Sequence, residues 1–334
     1  MSERDRITLN QTAGPEATRI LGVGSFQPER VVTNDELSLH MDTNDQWIRD
    51  RVGIRERRFA GPDERLVDMA VVAGAKALAD SGLAPSDVDT VILANCTMPH
   101  PIPNGAAQVA DRIGVKAAGA FDLNAACAGF CYSLGTASDL VRAGSAERVL
   151  VIGAEKLTDW VDPTDRANAI IFADGAGAAV VGPAERPGIG PVVWGSAGDL
   201  VDTIGMNPTG PTGNKVLYQE GQSVFRWATT QIAPIALRAV EAAGITPADL
   251  DVLIPHQANL RIVEAIAKKL RANGAREELV VADDIVFSGN TSSASIPMAM
   301  DHMRAAGRIK PGDLALLVGF GAGLSYAGQV VVCP

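Results

Sequence analysis

ALADSGLAPSDVDTVILA, residues 77–94, has an ungapped echo in AVEAAGITPADLDVLIPH, residues 239–256. Gly82 meets Gly244, Pro85 meets Pro247, Asp87 meets Asp249, Asp89 meets Asp251 and Ile92 meets Ile254. Each copy reads as a helix stopped by Gly, a turn at Pro, and a short apolar strand. The echo runs on downstream. FDLNAAC-AGFCYSLGTASDLV from Phe121 and IVFSGN-TSSASIPMAMDHM from Ile285 both read as strand, turn and helix. RVLVIG (148–153) is then matched by DLALLVG (313–319) as the next buried strand. The chain is therefore expected to be α/β, with two related halves, 1–184 and 185–334, joined near Gly182–Gly190. Apolar strands lie in both halves and no linker separates them, so one shared core is expected. At the repeat offset Cys127 falls opposite Gly289, one residue from Asn290. The two halves thus put different polar groups at the same structural place.

Composition narrows the function classes. Apolar residues make up 47% of the 334 and charged residues 20%, the balance of a packed protein and not of a disordered one. Aromatics are few, at 4%, while Ala and Gly abound, which suits layered packing with close backbone approaches. The net charge of −10 comes with no long basic run, which argues against nucleic acid as a partner. Met1-Ser2-Glu3-Arg4-Asp5-Arg6 lacks the apolar core of a secretory signal, and no apolar run approaches the ~18 residues of a membrane span. A cytoplasmic protein without a membrane partner is expected. Cys96, Cys127, Cys131 and Cys333 show neither a C-x-x-C pair nor zinc spacing, so they are expected to be thiols with no metal.

Four places carry chemistry. Cys127 follows the strand AFDLN and opens a helix expected over Ala128–Val141, with Ala125, Ala126, Ala128 and Gly129 leaving room around it. A free thiol titrates near ~8.5, and a helix start favours its thiolate. The competing reading is a buried inert cysteine, the one taken for Cys96 and Cys131. His256 ends the strand DVLIP, where open α/β sheets place their sites; His40, His100 and His302 have ordinary settings. Asn290, in SGNTSSAS, reads equally as a helix cap, but the repeat sets it nearly opposite Cys127. The Gly-rich GFGAGLSYAG (319–328) is either a tight hairpin or a backbone cradle that supplies an oxyanion donor beside the Cys127 N–H.

At these residues the chain resembles β-ketoacyl-acyl carrier protein synthase III, the initiating member of the thiolase-fold condensing enzymes. The resemblance rests on DQWIRDRVGIRERR, FDLNAACAGFCY, DPTDRANAIIFADGAGAAV, GQSVFRW, IPHQANLRI, GNTSSASIP and GFGAGLSYAG, which span most of the chain. The final segment and GQSVFRW are similar to the actinobacterial branch, which includes aromatic-polyketide priming synthases. The family implies two βαβαβ-type halves packed as α-β-α-β-α layers, and a homodimer. It implies a Cys127–His256–Asn290 triad, with the oxyanion and gate residues at Phe320, Gly321 and Ala322. Trp47 and Arg166 would hold the adenine of coenzyme A, with Arg51 near its phosphates. Arg226, Arg261, Lys268 and Lys269 match the docking surface for the carrier protein. Ile102, in the rigid Met98–Pro103 loop, would floor the starter pocket of the dimer partner and leave room for four- to five-carbon or branched acyl groups.

The implied reaction joins an acyl-CoA starter to malonyl-acyl carrier protein. Cys127 takes the acyl group, and decarboxylation creates an enolate held by His256 Nε2 and the Asn290 amide. No cofactor is implied, coenzyme A entering as a substrate thioester. Asn124 departs from the Ser or small apolar residue usual before the nucleophile, Ala322 from the Gly of some relatives, and 196–219 matches nothing firmly. A hydroxymethylglutaryl-type synthase would want a Glu near the nucleophile, and none is close to Cys127 in sequence. A chalcone-type synthase lacks the HQANLR context, and a non-catalytic partner subunit would lack the cysteine. A further polyketide-type condensing enzyme stays open.

Overall fold

The computed structural model describes residues 9–207 and 216–334. The charged segment Met1–Arg6 and part of the stretch 196–219 therefore lie outside the described residues. Among the described residues ten strands form the two main sheets: β1 (Ala17–Phe26), β2 (Thr90–Ala94), β3 (Gly119–Leu123), β4 (Val149–Lys156), β5 (Asp174–Ala184), β6 (Val193–Gly195), β7 (Val252–Pro255), β8 (Val280–Val281), β9 (Leu314–Phe320) and β10 (Tyr326–Val332). Six long helices join them: α1 (Leu66–Ser81), α2 (Gly105–Ile113), α3 (Gly129–Arg142), α4 (Gly221–Ala242), α5 (Leu260–Ala272) and α6 (Ser295–Ala305).

The first sheet has the order β1-β5-β4-β2-β3 and the second the order β6-β10-β9-β7-β8. Each strand number in the second is five higher than its counterpart. The directions agree too: β4, β2 and β3 run parallel, as do β9, β7 and β8, while β1–β5–β4 and β6–β10–β9 pair antiparallel. The sequence echo is thus an echo of topology.

The matched residues do the same work in both copies. Gly82 and Gly244, at φ +72° and +73°, take the left-handed conformation that ends a helix. Pro85 and Pro247 open one-turn 3₁₀ helices, and Asp87 and Asp249 accept the backbone N–H of Ala84 and Thr246, each at 2.8 Å. Asp89 accepts the Glu147 N–H (2.6 Å) and Asp251 the Leu314 N–H (2.8 Å), which ties β2 and β7 to the starts of their neighbours.

Alternation of side chains across each sheet divides the core in three. Leu93, Leu150 and Ile152 face α1 and α2; Ile92, Val149 and Val151 face α3 and α6, which also receive Ile254, Leu317 and Val331 of the second sheet. Leu253, Leu316 and Val318 face α4 and α5. The result is the expected five-layer α-β-α-β-α stack, with both sheets sharing the central helical layer. A Cβ at Gly153 would lie 2.3 Å from the Ser293 carbonyl oxygen, so glycine there lets the segment leading into α6 approach the first sheet.

One expected strand is absent. Ile285–Ser288 is a helical turn, and the edge strand is the two-residue β8 just before it. The buried Gln257 side chain accepts the Ile285 N–H (3.1 Å), while the Asp283 and Asp284 carbonyls take the next amides, so no N–H of this segment is left for a ladder. The described residues of 196–219 include two short strands beside the site: Ile204–Asn207 and Val216–Gln219 pair antiparallel.

Candidate active site

Cys96, Cys127, Glu155, His256 and Phe320 all sit at or just beyond the carboxyl ends of β2, β3, β4, β7 and β9, where a sheet of this kind opens its crevice. There the chain encloses a cavity of about 970 Å³. Cys127, His256, Asn290 and Phe320 share its wall with Trp47, Arg51, Arg226 and Arg261.

Cys127 lies in the one-turn 3₁₀ helix Ala126–Ala128, and α3 starts two residues later, at Gly129. Ala126 has φ +46°, a strained conformation for a residue with a Cβ. Asn124 explains how it persists: its side-chain oxygen accepts the Ala126 N–H at 3.1 Å, a local Asx-type turn. The departure at position 124 therefore supports the turn that aims the thiol. Gly321 packs so close that a Cβ would lie 2.8 Å from both Cys127 N and Cβ. Only glycine fits against the nucleophile there.

Three expectations need correcting. Cys127 is not poised as a thiolate. Burial pushes its thiol up to about 12, and the nearby Glu155 carboxylate pushes the same way, against support from Ser292 and its own N–H. Gly321 gives its N–H to the Ser325 carbonyl (3.0 Å) within the β9–β10 hairpin, so it is a steric element and not an oxyanion donor. Cys96 is not packed away in the core: it lines the cavity, its thiol 3.4 Å from Glu155, where burial and that carboxylate keep it protonated. Cys131, by contrast, is fully buried in the central layer, as expected.

His256 is 2% exposed, and burial lowers its pKa to about 3, so the ring is neutral. Its Nδ1 lies 2.8 Å from Ser295 Oγ, which also accepts the Gln257 N–H at 3.3 Å. Ser295 still has its own hydroxyl proton to give to Nδ1, and in that tautomer the ring proton sits on Nε2. Phe320 packs edge-on against the ring, centroids 5.3 Å apart. Asn290 accepts the Ser292 N–H on Oδ1 (2.8 Å), which leaves its NH2 as the donor end.

Sequence reasoning missed Glu155, Ser292 and Ser295. A glutamate does lie beside the nucleophile in space: Glu155 is fully buried and acts on Cys127 through its charge. The available signal was a charged pair, Glu155-Lys156, ending the otherwise apolar strand VLVIGAEK.

Around the mouth, the guanidinium carbons of Arg51 and Arg166 each stand 4.8 Å from the Trp47 ring centroid. Arg166 also bonds the Asp42 carbonyl (2.9 Å). A base sandwiched between Trp47 and Arg166 needs Arg166 to swing outward first. Arg261 stacks 5.1 Å over Phe225. Lys268 and Lys269 lie exposed further along α5 and do not line the cavity. Ile102 is 82% exposed and does not line this chain's cavity either. Among the described residues no group of three or more His, Cys, Asp or Glu could hold a metal ion, and no helix is long and apolar enough to cross a membrane.

Residues 121–198 match the family described as 3-oxoacyl-[acyl-carrier-protein (ACP)] synthase III, and residues 240–333 match its C-terminal region. The chain is 52% identical over 322 residues to beta-ketoacyl-[acyl-carrier-protein] synthase III 4 of Streptomyces coelicolor, covering 96% of this chain and 99% of the relative. It is 48% identical over 335 residues to the mycobacterial beta-ketoacyl-[acyl-carrier-protein] synthase III of Mycobacterium avium, covering 98% of each. Among solved structures it is similar to the priming beta-ketosynthase of the R1128 polyketide biosynthetic pathway, with a TM-score of 0.92, 41% identity, and 98% of this chain and 99% of that one covered. The 3-oxoacyl-[acyl-carrier-protein] synthase III of Aquifex aeolicus follows at a TM-score of 0.88 and 37% identity, with 95% and 100% covered. The fold is the thiolase-like one, and the chain belongs to the 3-oxoacyl-[acyl-carrier-protein] synthase III family of acyltransferases, the β-ketoacyl synthases III.

Proposed function

We propose that this protein condenses an acyl-CoA starter with malonyl-acyl carrier protein, releasing coenzyme A and CO2 and initiating a fatty acid or aromatic polyketide chain. The observation that carries this reading is a thiol, a neutral imidazole and a primary amide on the wall of one cavity. In this reading residues 1–184 form the half that brings the nucleophile, and residues 185–334 the half that brings His256 and Asn290.

The cavity suits two half-reactions in sequence. Cys127 attacks the starter thioester and keeps the acyl group while coenzyme A leaves. The oxyanion formed on the way needs donors, and the Cys127 N–H and Ala322 N–H are the pair proposed here. Malonyl thioester then loses CO2, and the enolate oxygen accepts from His256 Nε2–H and the Asn290 NH2. A neutral imidazole serves as donor here because the enolate needs a hydrogen bond and no transferred proton. The carbanion attacks acyl-Cys127, the sulfur leaves as a thiolate, and uptake of one proton from water restores the thiol. Phe320, packed on His256, borders the malonyl position. Incubation with a panel of acyl-CoAs and malonyl-acyl carrier protein tests the reading: β-ketoacyl product with stoichiometric CO2 supports it, and thioester hydrolysis without carbon–carbon bond formation contradicts it.

Coenzyme A is placed against Trp47, Arg51 and Arg166, and the acidic carrier protein against Arg226, Arg261, Lys268 and Lys269. Arg261→Glu is expected to raise KM for malonyl-acyl carrier protein by about 10-fold while moving KM for acyl-CoA by less than about 2-fold, and high salt should mimic the change. Equal effects on both substrates would place Arg261 in the shared channel instead.

We take the protein to be a cytoplasmic homodimer in which Ile102 of one copy floors the other's starter pocket. Four- to five-carbon or branched acyl-CoAs should then prime at least as well as acetyl-CoA. Ile102→Phe should shift the ratio toward acetyl-CoA by roughly 10-fold without slowing malonyl decarboxylation. Strict acetyl-CoA preference that Ile102→Ala leaves unchanged would show that another wall sets the depth.

A further inference from the structure

Asn290 can serve an enolate only with its amide turned the right way round. Its backbone is held on both sides: the N–H donates to the Ile171 carbonyl and the carbonyl accepts the Ala173 N–H, each at 2.9 Å. Among the described residues its side chain has one hydrogen-bond partner, the Ser292 N–H on Oδ1 at 2.8 Å. A primary amide rotated by half a turn presents a carbonyl oxygen where its NH2 had been. The direction of the Ser292 N–H therefore decides whether Asn290 is a donor or an acceptor on the cavity wall.

That N–H is aimed by unusual backbone. Ser292 is 1% exposed and has φ +50°, a left-handed conformation that a residue with a Cβ keeps only where its surroundings hold it. The bend turns two successive hydroxyls the same way. Ser292 Oγ lies 3.1 Å and Ser293 Oγ 2.8 Å from one atom, Glu155 Oε1. Successive side chains point to opposite faces of a strand and diverge by about 100° on a helix, so regular backbone would not bring both to one oxygen. The strained turn and the shared acceptor belong together.

Glu155 is itself firmly fixed. It is fully buried near the end of β4, and its Oε2 accepts from the Cys96 N–H (3.1 Å) and the Thr97 hydroxyl (2.6 Å), just beyond β2. Thr97 Oγ1 in turn accepts the Lys156 N–H at 2.9 Å. One carboxyl oxygen is thus tied to the first sheet, in the half that brings the nucleophile. The other is tied to the turn behind Asn290, in the opposite half. Glu155 does not line the cavity, so its reach into the chemistry runs through Ser292 to Asn290.

We propose that Glu155 is a positioning residue for the decarboxylation step: it holds Ser292 in its left-handed turn, and Ser292 holds the Asn290 amide with the NH2 toward the enolate oxygen. The inference rests on the donor role given to Asn290 above. It makes hydrogen bonding, not charge, the contribution of Glu155. Glutamine can supply the same hold, its carbonyl oxygen taking the Cys96 N–H and its NH2 meeting the serine hydroxyls, which rotate to accept. Leucine fills similar space and supplies neither end.

The test compares the unmutated protein with Glu155→Leu, Glu155→Gln, Asn290→Ala and the Glu155→Leu/Asn290→Ala pair. Decarboxylation of malonyl-acyl carrier protein and acylation of Cys127 by butyryl-CoA are measured separately. Glu155→Leu should decarboxylate roughly 10-fold more slowly and acylate within about 3-fold of the normal rate. Glu155→Gln should restore decarboxylation to within about 3-fold of normal. Added to Asn290→Ala, Glu155→Leu should cost less than about 2-fold more, because the group it positions is gone. A merely structural defect would slow both half-reactions and multiply with Asn290→Ala. Should Glu155→Leu not fold, Ser292→Ala takes its place in the cycle, with the same pattern expected. Normal decarboxylation by the disrupting variant, Glu155→Gln as slow as Glu155→Leu, or a full further loss on top of Asn290→Ala overturns the positioning role. Normal decarboxylation by Asn290→Ala alone overturns the reading beneath it.

Discussion

Cys127→Ala is expected to leave the fold in place and to abolish covalent transfer from acyl-CoA, with overall condensation falling at least roughly 10⁴-fold. The size of the effect follows from the chemistry. The first half-reaction stores the acyl group on sulfur, and no other thiol shares the position. Cys131 and Cys333 are buried in the core, and Cys96, though on the cavity wall, lies against a carboxylate that holds it as a thiol. The fold should tolerate the change because the strained turn at Ala126 is held by Asn124 and by close packing on Gly321, not by the sulfur. Stability should stay within about 1 kcal/mol of the unmutated protein. Circular dichroism and thermal melting check the fold, and release of coenzyme A checks the chemistry. Residual burst release of coenzyme A from Cys127→Ala would mean that another group takes the acyl chain.

His256→Ala and Asn290→Ala should divide the reaction in two. Each is expected to acylate Cys127 at close to the normal rate and to decarboxylate malonyl thioester roughly 10²- to 10³-fold more slowly, because each deletes one donor to the enolate. With its pKa near 3, His256 stays neutral and keeps its Nε2 proton across the working range. The decarboxylation rate of the unmutated protein should therefore show no acid limb near pH 6.5. Stability carries the opposite mark. The unfolded chain protonates this ring below about 6.5 and the folded chain only near 3, so His256 costs stability progressively as pH falls through that window and nothing above it. A variant that failed only at acylation would require the roles of the residues to be exchanged.

What the sequence made legible was local or periodic. Gly82 and Gly244 stop helices, Asp87 and Asp249 cap turns, and each function is completed within a few residues of its own position. Cys127 and His256 stood out by following apolar strands, the place where an open sheet exposes side chains. The rest depended on contacts that the repeat does not encode. Glu155 meets Ser292 across 137 residues, and His256 meets Ser295 across 39. Neither partner carries a pattern of its own. The helix-start argument for a Cys127 thiolate failed for a related reason: it counted the nearby backbone and could not count the burial supplied by β4, β9 and the segment before α6. The strand expected at Ile285 failed because Gln257, packed from β7, claims its first amide. Asn124 shows the converse, since a departure from the family pattern proved to be the support for the nucleophile's own turn.

Peptide mapping by mass spectrometry, after brief exposure to an acyl-CoA and then a chase with malonyl-acyl carrier protein, tests the central claim most directly. The expected result is one acyl adduct on the peptide that contains Cys127, discharged by the chase as β-ketoacyl-carrier protein and CO2 appear together. An adduct on Cys96, Cys131 or Cys333, or an adduct on Cys127 that the chase leaves in place, would contradict it.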